Sequence, residues 1–249
     1  MRALLSGAPG LTISRPFRYC ALLFLLAALP AFAEPSPDLA ARIDAGWRVQ
    51  RRWAAVTANG SFLYDFGVKT WNGAGKLKES FTRSARVYNR GETHRTEILA
   101  ATRDGRDDTA NARAQEEKDQ EKQASAPRSR RKEDLPSPFD PRFRDRYVLT
   151  PEPAPDGGAA LAFRPAAPFE GALQGRALYD PEGRLRRLEL TLAKRPRFTR
   201  RLDFTVTIGP DGFPERVDSS GEVSLVIWKR TFESTLVLRD VRTGEKETR

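Results

Sequence analysis

The sequence predicts a mainly β protein: a large curved antiparallel sheet with an N-terminal amphipathic helix covering its concave side. Three observations predict it. Apolar residues recur at spacings of three and four between Pro37 and Val56. From Ser61 onward the period is two, broken by turn residues, and no run alternates a strand with a crossover helix. About nine or ten such strands in succession form one sheet that curls, since strongly twisted sheets of roughly ten strands curl, split or close.

Residues 1–33 form a leader. Arg2, Arg15 and Arg18 precede an apolar run of eleven residues, Tyr19 to Leu29, and Ala31-Phe32-Ala33 offers a small-x-small cleavage site before Glu34. The run is shorter than the roughly twenty residues that span a bilayer as a helix. The expectation is a cleaved secretory signal and a periplasmic protein. Its mature part, residues 34–249, is a single domain with 40 Lys+Arg against 33 Asp+Glu, a net charge of +7. Cys20 leaves with the leader, so the domain is held by its core without disulfides. His94 is the sole histidine. Cys/His metal sites and most Ser-His or Cys-His machinery are thereby excluded, and no metal, cofactor or catalytic residue is assigned. His94 itself lies just past a hairpin turn, where a strand histidine is the ordinary reading.

The helix, PDLAARIDAGWRVQRRWAAV, carries Leu39, Ile43, Trp47, Gln50 and Trp53 or Ala54 along one stripe, with Ser36 or Asp38 to cap its first turn. SFLYDFGVKTW and KLKESFTRSARVY follow as strands separated by Asn72-Gly73-Ala74-Gly75, and THRTEILAAT ends at Asp104-Gly105. The strands then resume with RDRYVLTPEP, AALAFRPAAP and GRALYDPEGRLRRLELTLA, whose Asp180-Pro181-Glu182-Gly183 is a strong turn signal. RRLDFTVTIG alternates cleanly, with Leu202, Phe204, Val206 and Ile208 opposed to Arg201, Asp203, Thr205 and Thr207. GEVSLVIWKRTF and STLVLRDV close the series. Both are apolar on more than one face, which fits either local cover on both sides of the sheet or an apolar cavity on the concave side.

Between the two runs of strands, at about 105–141, lies a charged insertion. Ala110 to Ala124 are good helix formers without an apolar face, so marginal helix or disorder is expected, projecting into solvent. Arg128 to Lys132 and the proline-rich LPSPFDPRF complete it. RDGRDDTA lacks the alternate oxygen ligands of a calcium loop. KRPRFTRR places Lys194, Arg195, Arg197, Arg200 and Arg201 around Phe198, a patch suited either to a solvated connection or to lipid headgroups. No nucleic-acid motif and no phosphate-binding glycine loop is present, so neither partner is expected.

The layout resembles the LolA/LolB-like superfamily, and more narrowly the outer-membrane lipoprotein-sorting-like periplasmic proteins. The resemblance is carried by THRTEILAATRDGRDDT, SPFDPRFRDRYVL, FRPAAPFEGALQGRALYDPEGRLRRLEL, LDFTVTIGPDGFPERV and KRTFESTLVLRDVR, which cover most of residues 87–242. It implies an incomplete β-barrel around a hydrophobic cavity, helices as a lid, and binding of acyl chains or related apolar ligands. No single arginine here matches the lid-gating arginine of the carriers. The expected function is a monomeric, non-enzymatic carrier for an acyl chain, lipid or lipoprotein tail, with transient contact to an anionic membrane surface. The candidate ligand-binding residues are the inward-facing Phe204, Val206, Ile208, Leu225, Ile227, Leu236 and Leu238, with Trp47 and Trp53 as lid. A scaffold or adaptor with a filled core that binds a protein partner is the alternative.

Overall fold

A computed structural model describes residues 37–91, 93–125, 136–154, 157–225 and 228–244. The leader and Ile227 lie outside these residues, as do the side chains of Leu225 and Trp228. Helix α1 (Pro37–Ala58) runs straight into β1 (Asn59–Asn72), followed by β2 (Leu77–Arg90), β3 (Thr93–Arg103) and the short β4 (Arg106–Asp107). Helix α2 (Thr109–Ser125) comes next. After it lie a single 3-10 turn (Arg144–Arg146), β5 (Tyr147–Pro153), β6 (Ala159–Pro165), β7 (Leu173–Tyr179), β8 (Leu185–Leu192), β9 (Thr199–Ile208), β10 (Pro214–Leu225) and β11 (Trp228–Thr243).

Among the described residues the strands form one open antiparallel sheet, in the order β4-β3-β2-β1-β11-β10-β9-β8-β7-β6-β5. Strands consecutive in sequence are neighbours in the sheet, and the last strand also pairs with the first, from Gly60↔Thr243 to Asn72↔Arg230. The one consecutive pair that does not meet is β4 and β5, which form the two free edges. The architecture is that of an up-and-down barrel left open at one seam, and the charged insertion is the chain that links the two sides of that seam.

Register separates the two faces. One row of directly opposed residues reads Pro151, Leu161, Ala177, Leu188, Val206, Val217, Leu236, Phe66, Arg83, Ala101 from β5 to β3. The adjoining row, on the opposite face, reads Thr150, Ala162, Arg176, Glu189, Thr205, Asp218, Thr235, Gly67, Thr82, Thr102. The second row is polar and internally bonded: the Thr235 hydroxyl donates to Asp218 Oδ1 at 2.7 Å, and the Thr82 and Thr102 hydroxyls lie 2.7 Å apart. The sheet therefore buries one face and wets the other. Val237, the apolar residue that points to the wet side of β11, stands between Asp65 and Arg216.

Both helices lie on the buried face. The first half of α1 sets Ile43 and Ala45 into a cluster with Leu161, Phe163, Tyr179 and Ile208, and Trp47 packs against it. Its second half brings Trp53 to a cluster built on Tyr64, Ala85, Ile98 and Leu238. Hydrogen bonds fasten each half: Tyr179 Oη donates to the Arg42 carbonyl at 3.0 Å, and Asn89 Nδ2 to the Val56 carbonyl at 3.1 Å. The helix ends where Gly60 must pass beneath it, for a Cβ there would sit 2.3 Å from the Arg242 carbonyl oxygen and 2.8 Å from that of Val56.

Helix α2 corrects the expectation of a segment projecting into solvent. It packs on β3, and its fit is mostly polar. Because β4 pairs only with Thr102 and Arg103, the rest of the β3 edge has no strand beside it. Arg113 Nε donates to the Ile98 carbonyl at 3.0 Å and Gln120 Nε2 to the Thr96 carbonyl at 3.1 Å. The Ala101 carbonyl accepts from the Asp108 amide at 2.9 Å, and the Ala101 amide donates to the Thr109 hydroxyl at 3.0 Å. Arg83 adds an ion pair to Glu116 at 3.6 Å. A helix without an apolar face thus satisfies backbone groups that would otherwise form an exposed sheet edge.

Replacing both Arg113 and Gln120 by alanine removes two of these bonds, each contributing about 1 kcal/mol. Amide exchange across residues 109–125 is expected to speed up about tenfold or more while the sheet amides keep their protection; unchanged exchange would show that these bonds do not hold α2.

Candidate functional site

A cavity of about 170 Å³ lies between α1 and the buried face. Gly46, Val49, Gln50 and Trp53 form its helix wall, and Phe163 with Leu185, Leu188, Leu190, Val206 and Ile208 its floor. Ser137, Pro138 and Phe139 close a third side. The lining is almost wholly apolar. For scale, an engineered apolar cavity of about 150 Å³ stays dry and takes up benzene, whereas pockets for drug-sized ligands run to about 300–1,000 Å³.

Each wall follows from local chemistry. The floor is the apolar row of β8 and β9, in which Leu188 opposes Val206 and Leu190 opposes Phe204. The roof requires Gly46, because a Cβ there would lie 2.5 Å from the Phe139 ring. Phe139 in turn stands edge-on to Phe163, with ring centroids 5.9 Å apart. Its position is set by Asp140, which is 1% exposed and organises the turn around it. The Asp140 carbonyl accepts from the Phe143 amide at 2.9 Å, and its carboxylate accepts from the Arg142 amide at 2.9 Å and from Arg142 Nη2 at 2.6 Å. Asp-Pro initiates such turns. The end of the insertion is therefore a wall of the cavity.

Of the sequence-predicted residues, Trp53, Val206 and Ile208 line the cavity. Trp47 packs in the adjoining core, Leu236 and Leu238 belong to the neighbouring cluster, and Phe204 is half-buried on the same face beside Leu190. Sequence reasoning missed Gly46, Val49, Phe139 and Leu188, and it passed over Gln50. Gln50 Oε1 is buried on the cavity wall and, among the described residues, no donor reaches it. A buried acceptor without a donor costs about 1–3 kcal/mol.

Two polar features lie apart from the cavity. At the turn between β3 and β4 a surface hollow of about 490 Å³ is lined by Arg103, Asp104, Arg106, Asp107 and Asp108. Its carboxylates are already engaged. The Thr109 hydroxyl and amide hold Asp107, and the Asn111 amide and Arg103 hold Asp108, below the usual carboxylate range. The connection between β8 and β9 carries Lys194, Arg195, Arg197, Arg200 and Arg201. Arg195 Nη1 donates to the Arg200 carbonyl, and Arg201 pairs with Asp203 at 3.2 Å. Phe198 is 49% exposed at its tip, in the left-handed conformation with φ 71°.

No family model matches the sequence, and no curated protein matches it. Solved structures do. The chain is similar to a LolA superfamily protein from Nitrosomonas europaea, at 10% identity over 80% of this chain and 94% of that one, with a TM-score of 0.31. It is also similar to the MucA/MucB complex of Pseudomonas aeruginosa (11% identity, 82% and 99% covered, TM-score 0.21) and to a DUF1329 family protein from Desulfovibrio piger (12% identity, 82% and 92% covered, TM-score 0.26). The likeness to the LolA superfamily read from the sequence is thus found again by structure comparison. At these TM-scores the chains do not superpose closely, and what the cavity does is argued from its own residues.

The turn behind the roof is sensitive to pH. Arg142 holds the Asp140 carboxyl below the usual carboxylate range, against burial that pushes it up. A carboxylate depressed in the folded state contributes stability that is present above its unfolded value, near 3.9, and lost as pH falls through the lower folded value. Asp140→Asn is expected to cost about 1.5–3 kcal/mol at pH 7 and to flatten the fall in urea midpoint below about pH 4; a wild-type acid limb in the variant would remove Asp140 from this role.

Proposed function

We propose that the protein is a periplasmic, non-enzymatic binding protein that takes the end of an acyl chain, from a lipid or a lipoprotein tail, into the cavity beneath α1. The observation that carries this reading is the cavity itself, an apolar space of about 170 Å³ on the buried face of an open sheet, roofed by an amphipathic helix. The volume sets the scale of the interaction. Space comparable to a benzene-binding cavity takes about six carbons. At about 0.8 kcal/mol per methylene this gives roughly 5 kcal/mol before ordering costs, which is weak and reversible binding suited to handover. A whole chain would require α1 to lift from the sheet, parting Trp53 from Phe62, whose rings lie 5.3 Å apart.

Dodecanoate carrying a fluorescent group is expected to bind the mature protein saturably, and lipid to appear with it in native mass spectrometry. Val206→Phe, which fills the floor, is expected to weaken binding at least tenfold while thermal unfolding stays within a few degrees. No saturable binding and no co-purifying lipid would overturn the reading.

The adaptor reading is favoured by one observation, that the cavity is smaller than the roughly 300 Å³ at which pockets for drug-sized ligands begin. It is the reading that remains if no acyl probe binds.

The basic connection supplies the surface that would meet the lipid source. Exposed arginines near an anionic membrane contribute about 1 kcal/mol each, and Phe198 projects among them. Arg195→Glu with Arg197→Glu is expected to lower co-sedimentation with vesicles containing phosphatidylglycerol about tenfold or more in low salt; equal partition would assign the patch to solvent.

A further inference from the structure

Gln50 interrupts the apolar stripe of α1 at the place where that stripe faces the cavity. Its neighbours on the wall are Gly46, Val49 and Trp53, and the floor opposite is leucine, isoleucine and valine. The Ser137 hydroxyl, the other polar side chain of the lining, accepts from the Phe139 amide at 3.3 Å. Gln50 Oε1 is buried and, among the described residues, receives no donor. A plain hydrocarbon end would leave it so. A leucine or methionine at this position would line the wall equally well and would give the stripe its regular apolar spacing. The amide is the feature of the wall that a hydrocarbon does not use.

We infer that the ligand of this cavity brings a hydrogen-bond donor, a hydroxyl or an amide N–H, to Gln50 Oε1, so that the chain preferred is a hydroxylated or amide-linked acyl chain rather than a simple fatty acyl chain. This rests on the acyl-binding reading and narrows its ligand class. A hydroxyl satisfies the site most completely, since its hydrogen donates to Oε1 and its oxygen accepts from Nε2. The burial that isolates Gln50 from solvent is also what gives it discrimination, because a site built around a polar group disfavours the analogue that leaves the group unpaired.

Probes small enough to lie wholly inside the cavity test the inference without assuming how far a long chain enters. Phenol and fluorobenzene have similar size, and one of them carries the donor. In ligand-observed NMR titrations the mature protein is expected to bind phenol about fivefold or more tightly than fluorobenzene. Gln50→Leu and Gln50→Met are expected to abolish or reverse that order. Equal affinities in the wild type, or a phenol preference that survives both substitutions, would overturn the inference. The wild-type comparison decides even if a variant folds poorly. Two chain pairs then assign the source of the donor: 3-hydroxydodecanoate against dodecanoate for a hydroxyl, and N-methyldodecanamide against N,N-dimethyldodecanamide for an amide N–H. A gain in the first pair assigns a hydroxyacyl ligand and a gain in the second an amide-linked one; no gain in either overturns the inference. If dodecanoate binds and no donor preference is found, the acyl-binding reading stands and this inference falls. If dodecanoate does not bind, it is that reading which fails.

Discussion

The pairing of β1 with β11 is the contact on which the rest of the molecule depends. It joins strands at opposite ends of the domain, in register from Gly60↔Thr243 to Asn72↔Arg230 with one irregularity near Ser61. Without it there are two separate meanders, β1–β4 and β5–β11, each too narrow to enclose anything. With it there is one eleven-stranded sheet, and a single helix can lie across the join. Such a contact spans nearly the whole domain, so the loop-closure entropy it costs is met late, after the local hairpins have formed. The two β-hairpins that flank it, β1 with β2 and β10 with β11, present the partner edges already in register.

The same pairing explains why the apolar residues collect on one face and leave a space there. Alternate rows run uninterrupted from β5 to β3, one apolar and the next polar, so the face under the helices is continuous across the join. α1 is fastened at Arg42 to β7 and at Val56 to β2, on either side of the β1–β11 seam. Between those two points the helix bridges the sheet, and Gly46 allows Phe139 to come in from the side. A side chain at Gly46 would displace the ring, and a filled roof would take the place of a lined one. The cavity is thus a product of helix placement and of one missing Cβ, as much as of the leucines and valines below.

Much of this was legible in the sequence, and the reasons for the rest are specific. The alternation in RRLDFTVTIG reports the faces of β9 directly, so Val206 and Ile208 fall on the cavity floor as expected and Asp203, Thr205 and Thr207 on the wet face. Trp53 follows from the spacing of α1. Phe139 was not legible, because it sits in a proline-rich run that carries no periodicity, and its burial depends on a turn organised by Asp140. Gln50 was visible as a member of the stripe, and the signal that marks it is its polarity at an apolar position. The β1–β11 pairing leaves no local trace at all, since strand order is decided by which edges remain free once the hairpins have formed.

The charged helix shows why an apolar face is not the only reason for a segment to dock. An open barrel has two edges, and each exposes backbone groups that invite pairing with another chain. On the β4 side the protection is α2, whose Arg113, Gln120 and Thr109 take the bonds that a neighbouring strand would make to Ile98, Thr96 and Ala101. On the β5 side it is proline: Pro151 and Pro153 have no N–H to offer, and the strand is seven residues long. The two solutions differ because the two edges differ. β3 is eleven residues long and paired by β4 over only its last two, so it needs a partner along most of its length. A helix with charged and amide side chains can supply that partner from one side, without extending the sheet. Composition without apolar periodicity was therefore a sign of what the segment binds, namely the polar edge of the sheet that its own insertion keeps from closing.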